Sequence, residues 1–266
     1  MSDILNKLTK QITENQILPA DQMTAGFDEM MEGKASPVQM AAFLIALKMR
    51  GEAPSDIAAG AGSLRRHALT LDAPDNAMDI VGTGGDGIGT YNISTATALV
   101  LAGAGIPIAK HGNKAVSSKS GAADVLTALG INLDCSEEAL SEALTAAKIV
   151  FLMAPRHHSA MRHVGPIRAE LGVRTIFNLL GPLSNPALVR RILVGVFDAR
   201  WLQPFAEALG WFGSPYPFDP DDRARRRARL DAFFAKKYGL TRDELRFILD
   251  PADTHGPDYP TETFRG

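Results

Sequence analysis

Apolar side chains recur at helical spacing through the first 72 residues of the chain. One apolar stripe runs from Leu5 to Ile12, and a second follows Ser36 and Pro37. A serine followed by a proline is typical of a helix start, because the hydroxyl caps backbone N–H groups and proline fits the first helical position. Residues 1–72 are therefore predicted to form a small all-helical N-terminal domain.

From Met78 onward, short apolar runs alternate with helical stretches. The runs that predict strands are 78–81, 106–109, 149–153 and 192–197. The stretches that predict helices are 94–103, 122–129, 137–147 and 199–209. Strands that alternate with helices favour parallel strands joined by right-handed crossovers. Residues 73–210 are predicted to form a parallel-sheet α/β domain.

Composition narrows the possible functions. Hydrophobic residues make up 45% and charged residues 22% of the 266 residues, which is typical of a globular protein. A formal net charge of -2 gives no general attraction to nucleic acid or to an anionic membrane. One cysteine excludes a disulfide framework within the chain. With no apolar run of membrane-spanning length and no signal-peptide pattern, we expect a cytoplasmic protein with no membrane partner and no nucleic-acid partner.

Five glycines lie within eight residues, from Gly82 to Gly89, directly after the first predicted strand. Glycine lets backbone N–H groups approach an anion closely, and a helix start at Asn92, Ser94 and Thr95 adds further N–H groups and hydroxyls. The lysine of a Walker loop is missing, and a Gly-x-Gly-x-x-Gly spacing alone is weak evidence for a dinucleotide site. The segment indicates a phosphate site, with a flexible loop before a capped helix as the alternative.

A second polar segment follows the next predicted strand. Between Lys110 and Gly121 it contains three lysines, three serines and a histidine. Lysine point charges and serine hydroxyls suit a phosphorylated sugar. The alternative interpretation is a solvated basic loop.

Both segments, together with a third that runs from His157 to Pro186, resemble the anthranilate phosphoribosyltransferase family. The shared motifs are Gly-Thr-Gly-Gly-Asp, Asn-x-Ser-Thr, Lys-His-Gly-Asn, Ser-Ser-Lys-Ser-Gly, His-His-Ser-Ala-Met-Arg-His-Val-Gly-Pro-Ile-Arg and Asn-Leu-Leu-Gly-Pro-Leu-Ser-Asn-Pro. The resemblance covers residues 1 to about 210. It implies a helical N-terminal domain joined to an α/β domain of the nucleoside phosphorylase and phosphoribosyltransferase type, usually as a homodimer.

The resemblance also implies the substrates 5-phosphoribosyl 1-diphosphate (PRPP) and anthranilate, with Mg²⁺. The positions that would bind PRPP are Gly82, Gly85, Asp86, Thr90, Asn92, Ile93, Ser94, Thr95, Lys110, His111, Gly112, Asn113, Lys114, Ala115, Val116, Ser117, Ser118 and Ala122. Those that would contact anthranilate are Gly82, Asn113 and Arg168, and Ser94 would also contact magnesium. A guanidinium fork suits an aromatic carboxylate, which supports Arg168 independently. His111 and His158 are either pocket walls or structural histidines. No covalent nucleophile is predicted.

Residues 211–266 differ from that family. Ten of the eighteen aromatic residues lie there, and the family's Asp-Glu magnesium pair has no equivalent, since Asp243-Glu244 fits a helix cap. Instead, this tail resembles the C-terminus of restriction and phage-defence DNA methyltransferases. Its ten basic and ten acidic residues favour a solvated helix face over a DNA-binding one for the run 223–229.

This mismatch leads to two expectations. The α/β domain is expected to be truncated, with an exposed sheet edge and impaired stability. Transfer of phosphoribosyl to anthranilate is expected to be reduced or absent. The alternatives are a PRPP-binding remnant without turnover and a nucleoside phosphorylase of the same fold.

Overall fold

The computed structural model describes residues 2–84, 92–114 and 121–212, together with Asp221, Arg225 and Thr241. By its internal contacts the chain divides into two compact units, Met1–Phe212 and Gly213–Gly266. The sequence expectations for the tail, including its helices, fall almost entirely outside the described residues. Within the described ranges, no helix is both long enough and apolar enough to cross a membrane.

Four helices form the N-terminal part of the first unit: α1 (Asp3–Thr13), α2 (Ala20–Met31), α3 (Pro37–Arg50) and α4 (Pro54–Arg66). Ser36 caps α3 as predicted, with its hydroxyl accepting from Gln39 N while the Gln39 side chain accepts from Ser36 N. The predicted apolar stripes are buried, and Phe27 and Phe43 meet edge to face at 5.8 Å between ring centroids. One continuous core joins these helices to Phe177 and Phe205 of the α/β part.

The remaining elements alternate as predicted. They are β1 (Met78–Gly82), α5 (Ile93–Gly103), β2 (Ile108–Gly112), α6 (Ala122–Ala128), α7 (Glu137–Ala147), β3 (Ile149–Met153), α8 (Ala154–His157), α9 (Gly165–Leu171), α10 (Phe177–Leu180), β4 (Arg191–Gly195) and α11 (Leu202–Ala208). Among the described strands the sheet order is β3-β2-β1-β4, and every pair is parallel. The helical domain and the parallel α/β domain are thus confirmed.

Two of the predicted strands end at different residues in the structure. β2 was expected to end at Ala109 but continues to Gly112, so Lys110 and His111 are strand residues with 2% and 4% exposure. The sequence suggested an end there because a lysine is costly to bury. β4 stops at Gly195 rather than at Phe197, since the Phe197 N–H leaves the ladder to donate to Thr83 Oγ1 at 3.0 Å.

Candidate functional site

The two segments predicted to bind phosphate meet at one edge of the sheet. β1 and β2 are parallel neighbours, so Gly82 and Gly112 end on the same side. The Lys110 ammonium donates to Ile80 O at 2.7 Å and to Ser94 Oγ at 3.3 Å. The structure thereby joins the backbone of β1, a side chain of β2 and the first turn of α5. Ligands of open parallel sheets bind outside the carboxyl ends of the strands, where this convergence lies.

The other predicted PRPP positions are distributed around this convergence. Gly85, Asp86, Thr90, Ala115, Val116, Ser117 and Ser118 lie outside the described residues. Asn92 precedes α5, Ile93 begins it with an exposed side chain, and Thr95 is buried. Asn113 and Lys114 follow β2, and Ala122 begins α6. The N–H groups of Ile93 and Ser94 precede the first hydrogen bond of α5, in which Thr95 N donates to Asn92 O at 3.1 Å, and N–H groups at a helix start favour an anion.

Gly112 is required by packing rather than by backbone conformation. A Cβ at this position would lie 2.8 Å from Phe151 Cε2 and 2.9 Å from its Cζ. Any side chain at position 112 would therefore force the Phe151 ring to move.

A network of buried polar groups surrounds Asp79, whose charge acts on Lys110. The Asp79 carboxylate is fully buried and accepts from His111 N at 3.2 Å and from Asn185 Nδ2 at 2.7 Å. Asn185 Nδ2 also donates to Ala109 O at 2.8 Å. Burial raises the pKa of Asp79 to about 6, against the opposing effects of the Asn185 hydrogen bond and the Lys110 charge. Burial likewise lowers the pKa of Lys110, and the Asp79 charge offsets part of this effect.

The network corrects the interpretation of the lysine segment as a solvated basic loop, as far as Lys110 is concerned. Its ammonium is held inside the protein by a carbonyl and a hydroxyl, with a carboxylate as counter-charge. Sequence reasoning did not assign a role to Asp79. The available signal was a charged residue at an interior position of an otherwise apolar strand, which normally requires a buried partner.

Two histidines lie beside this network. The rings of His111 and His158 meet edge to face with centroids 5.1 Å apart, and His111 Nδ1 lies 3.2 Å from Gly181 O. Burial lowers the pKa of His111 to about 3, and the neighbouring His158 adds to that effect. Burial, together with His157, lowers the pKa of His158 to about 4. Both buried rings are therefore uncharged at neutral pH.

The predicted anthranilate contact Arg168 lies on α9. Its Nη2 donates to Asn178 Oδ1 at 3.4 Å, and its guanidinium lies 5.4 Å from the centroid of the Phe177 ring. Burial lowers its pKa from the ordinary value, yet a guanidinium stays charged at neutral pH. Asn178 Oδ1 also accepts from Thr175 N at 3.1 Å, which ties this arginine to the turn before α10.

Taken together, the helical bundle, the parallel sheet and the polar convergence at the carboxyl ends of its strands define an α/β protein with a candidate anion site. The chain belongs to the glycosyl transferase family. Its helical bundle domain model matches residues 2–68, and its a/b domain model matches residues 74–215.

The chain is similar to several anthranilate phosphoribosyltransferases. It is 55% identical to that of Parvibaculum lavamentivorans over 204 residues, which cover 77% of this chain and 60% of the relative. The crystal structure of the Thermus thermophilus protein matches with 48% identity and a TM-score of 0.73, covering 76% of this chain and 62% of that one. The Saccharomyces cerevisiae protein in complex with PRPP and Mg matches with 30% identity and a TM-score of 0.72, covering 78% and 62%. The chain thus spans about three fifths of the length of these relatives.

Proposed function

We propose that this chain binds PRPP at the carboxyl ends of β1 and β2 and transfers its phosphoribosyl group to anthranilate. The products would be N-(5-phosphoribosyl)anthranilate and diphosphate, in tryptophan synthesis. The observation that carries the proposal is the buried Lys110 ammonium 3.3 Å from Ser94 Oγ, at the start of α5. The names of the relatives and the PRPP complex of the yeast protein support the choice of substrates.

The chemistry requires two kinds of group. As diphosphate leaves C1 of the ribose, positive charge develops on the sugar and negative charge on the leaving group. Lys110 and the N–H groups at the start of α5 would stabilise the leaving diphosphate, since preorganised donors act most strongly where charge develops. Arg168 would pair with the anthranilate carboxylate and hold the amine in line with C1. Neutral His111 and His158 would line the pocket without repelling the developing sugar cation.

Magnesium fits this site only together with the diphosphate. Ser94 Oγ is a hard oxygen ligand with a lone pair to spare beside the hydrogen bond from Lys110. The Lys110 ammonium lies 3.3 Å from this oxygen and would repel a divalent ion bound to it unless anionic oxygens balanced the charge. Among the described residues no three His, Cys, Asp or Glu side chains form a metal-binding group. Bound Mg²⁺ would supply charge neutralisation for the diphosphate.

The test is a fluorescence assay that follows the loss of anthranilate signal with PRPP and Mg²⁺. Arg168→Ala should lower kcat/KM for anthranilate by about 10–100-fold, the range expected for losing a charge-assisted hydrogen bond. Arg162→Ala is the matched control, because Arg162 is an arginine in the neighbouring turn that is more open to solvent. Lys110→Met should weaken PRPP binding in calorimetry, whereas Lys7→Met on the exposed side of α1 should not.

Several outcomes would redirect the proposal. PRPP binding without turnover would favour a binding protein, and phosphate-dependent cleavage of a nucleoside would favour a phosphorylase. Equal activity of the Arg168 and Arg162 variants would remove Arg168 from the anthranilate site. The homodimer stays a prediction, which sedimentation equilibrium of the purified chain would check.

A further inference from the structure

Arg174 contacts Gly84 in the glycine-rich segment, although the proposed chemistry gives this arginine no role. It lies between α9 and α10, and its Nη2 donates to Gly84 O at 3.2 Å. Its guanidinium also stacks on the ring of Phe197, 3.7 Å from the centroid. A planar, charged fork can stack on an aromatic face and donate in its own plane at once, which a lysine cannot do.

The surface on which Arg174 stacks is itself joined to the glycine-rich segment. Phe197 N donates to Thr83 Oγ1 at 3.0 Å, and Thr83 N donates to Gly195 O at 2.9 Å. Phe197 is therefore anchored to the residue that precedes Gly84. The guanidinium, the ring and the two loop residues form one connected group at the end of β1.

A third contact comes from the helical domain. Lys48, in the last turn of α3, donates from Nζ to the carbonyl of Arg174 at 2.9 Å. The helical domain thereby binds the backbone of Arg174 through Lys48, while the Arg174 side chain binds Gly84 of the α/β domain. Coupling of this kind requires contiguous physical contacts, which are present here from α3 to β1.

We propose that Arg174 is a positioning residue, which holds the Gly84 carbonyl in one direction at the carboxyl end of β1, beside the proposed PRPP site. Gly84 has φ +65, in the region that only glycine adopts freely, so its peptide plane has little intrinsic preference. Donation from Arg174 would select one orientation before the ligand arrives. This inference rests on the proposed PRPP site.

The test compares Arg174→Ala with Arg200→Ala. Arg200 is a matched control because its guanidinium also lies over an aromatic ring, 5.3 Å from the Trp201 centroid, with a side chain that is 68% exposed. Without ligand, hydrogen exchange at residues 78–84 should be several-fold faster in Arg174→Ala alone, at unchanged Tm. PRPP binding should weaken by about 10-fold, as expected for losing a charged donor. Added ethylguanidinium should restore both measurements, which a merely structural defect would not allow.

The outcomes separate this inference from the proposed function. Unchanged exchange in Arg174→Ala, or PRPP binding as tight as in the parent chain, would overturn the positioning role while leaving the PRPP site intact. Faster local exchange with rescue, in a chain that binds no PRPP at all, would support the positioning role and refute the PRPP site. If Arg174→Ala does not fold, Arg174→Lys replaces it. A lysine variant with parental exchange would then count against the need for a stacked fork.

Discussion

Replacing Asn185 with alanine should lower the free energy of unfolding by about 3–5 kcal/mol. The amide is 2% exposed, donates to Asp79 Oδ2 and Ala109 O at 2.7 and 2.8 Å, and accepts from Ala187 N at 2.7 Å. Each buried group left without a partner costs about 1–3 kcal/mol. The three losses share one small space, so their sum should be less than additive.

The loss should also depend on pH. Burial raises the pKa of Asp79 from 3.8 to about 6, so the folded state holds this proton more tightly than the unfolded state does. The contribution of Asp79 to stability is therefore greatest below pH 3.8 and falls by about 3 kcal/mol as pH rises through 6. The Asn185 hydrogen bond favours the ionised carboxylate. Without it the pKa of Asp79 should rise further, and the deficit of the variant should grow as pH increases.

Urea unfolding at about pH 5 and about pH 8 measures both effects, because the linear extrapolation gives the free energy at each pH. Asn132→Ala is the matched control, since the Asn132 amide is exposed and accepts only from Asp134 N at 3.0 Å among the bonds found in the described residues. Its loss should stay below about 0.5 kcal/mol. An Asn185→Ala loss as small as that, or one that shrinks with rising pH, would refute the buried network as a source of stability.

Two further substitutions test the packing of the helical domain. Gly60→Ala should destabilise by about 1–3 kcal/mol in urea unfolding through overpacking, because a Cβ would lie 2.7 Å from Leu180 Cδ1 and 3.0 Å from Phe27 Cζ. Arg50→Ala should cost about 3–5 kcal/mol in the same assay, because it leaves the fully buried Asp56 carboxylate without its ion-pair partner. Burial already raises the pKa of Asp56, so this loss should be larger at neutral than at acidic pH.

Each of these variants has a matched control on α4. Gly62→Ala should be neutral or stabilising, since the nearest atom to its Cβ is the end of the Arg66 side chain at 3.5 Å. Arg66→Ala breaks a half-exposed pair with Asp28 and should cost no more than about 1 kcal/mol. A Gly60 variant as stable as the Gly62 variant would show that α4 can move away from α10. Equal losses for Arg50 and Arg66 would show that burial adds nothing to the first ion pair.

The sequence by itself determined the elements and predicted the place of the candidate site. Periodicity identified the helices, alternation predicted a parallel sheet, and glycines followed by a helix start indicated an anion site at the end of β1. These signals are local, because they depend on the spacing of neighbouring residues and on backbone freedom. For the same reason β3 and α7 were predicted with the bounds that the structure shows.

Only the tertiary structure decided which polar residues are buried and what they contact. The sequence placed Lys110 in a polar segment predicted to bind phosphate, with a solvated loop as the alternative, but Asp79 and Asn185, 31 and 75 positions away in the chain, make its burial in β2 possible. Arg174 had no motif, because its partners Gly84, Phe197 and Lys48 come from three separate elements or loops. Contacts between residues this far apart in the chain cannot be predicted from the spacing of neighbouring residues. Whether a charge is exposed or buried is settled by the groups that the fold brings around it.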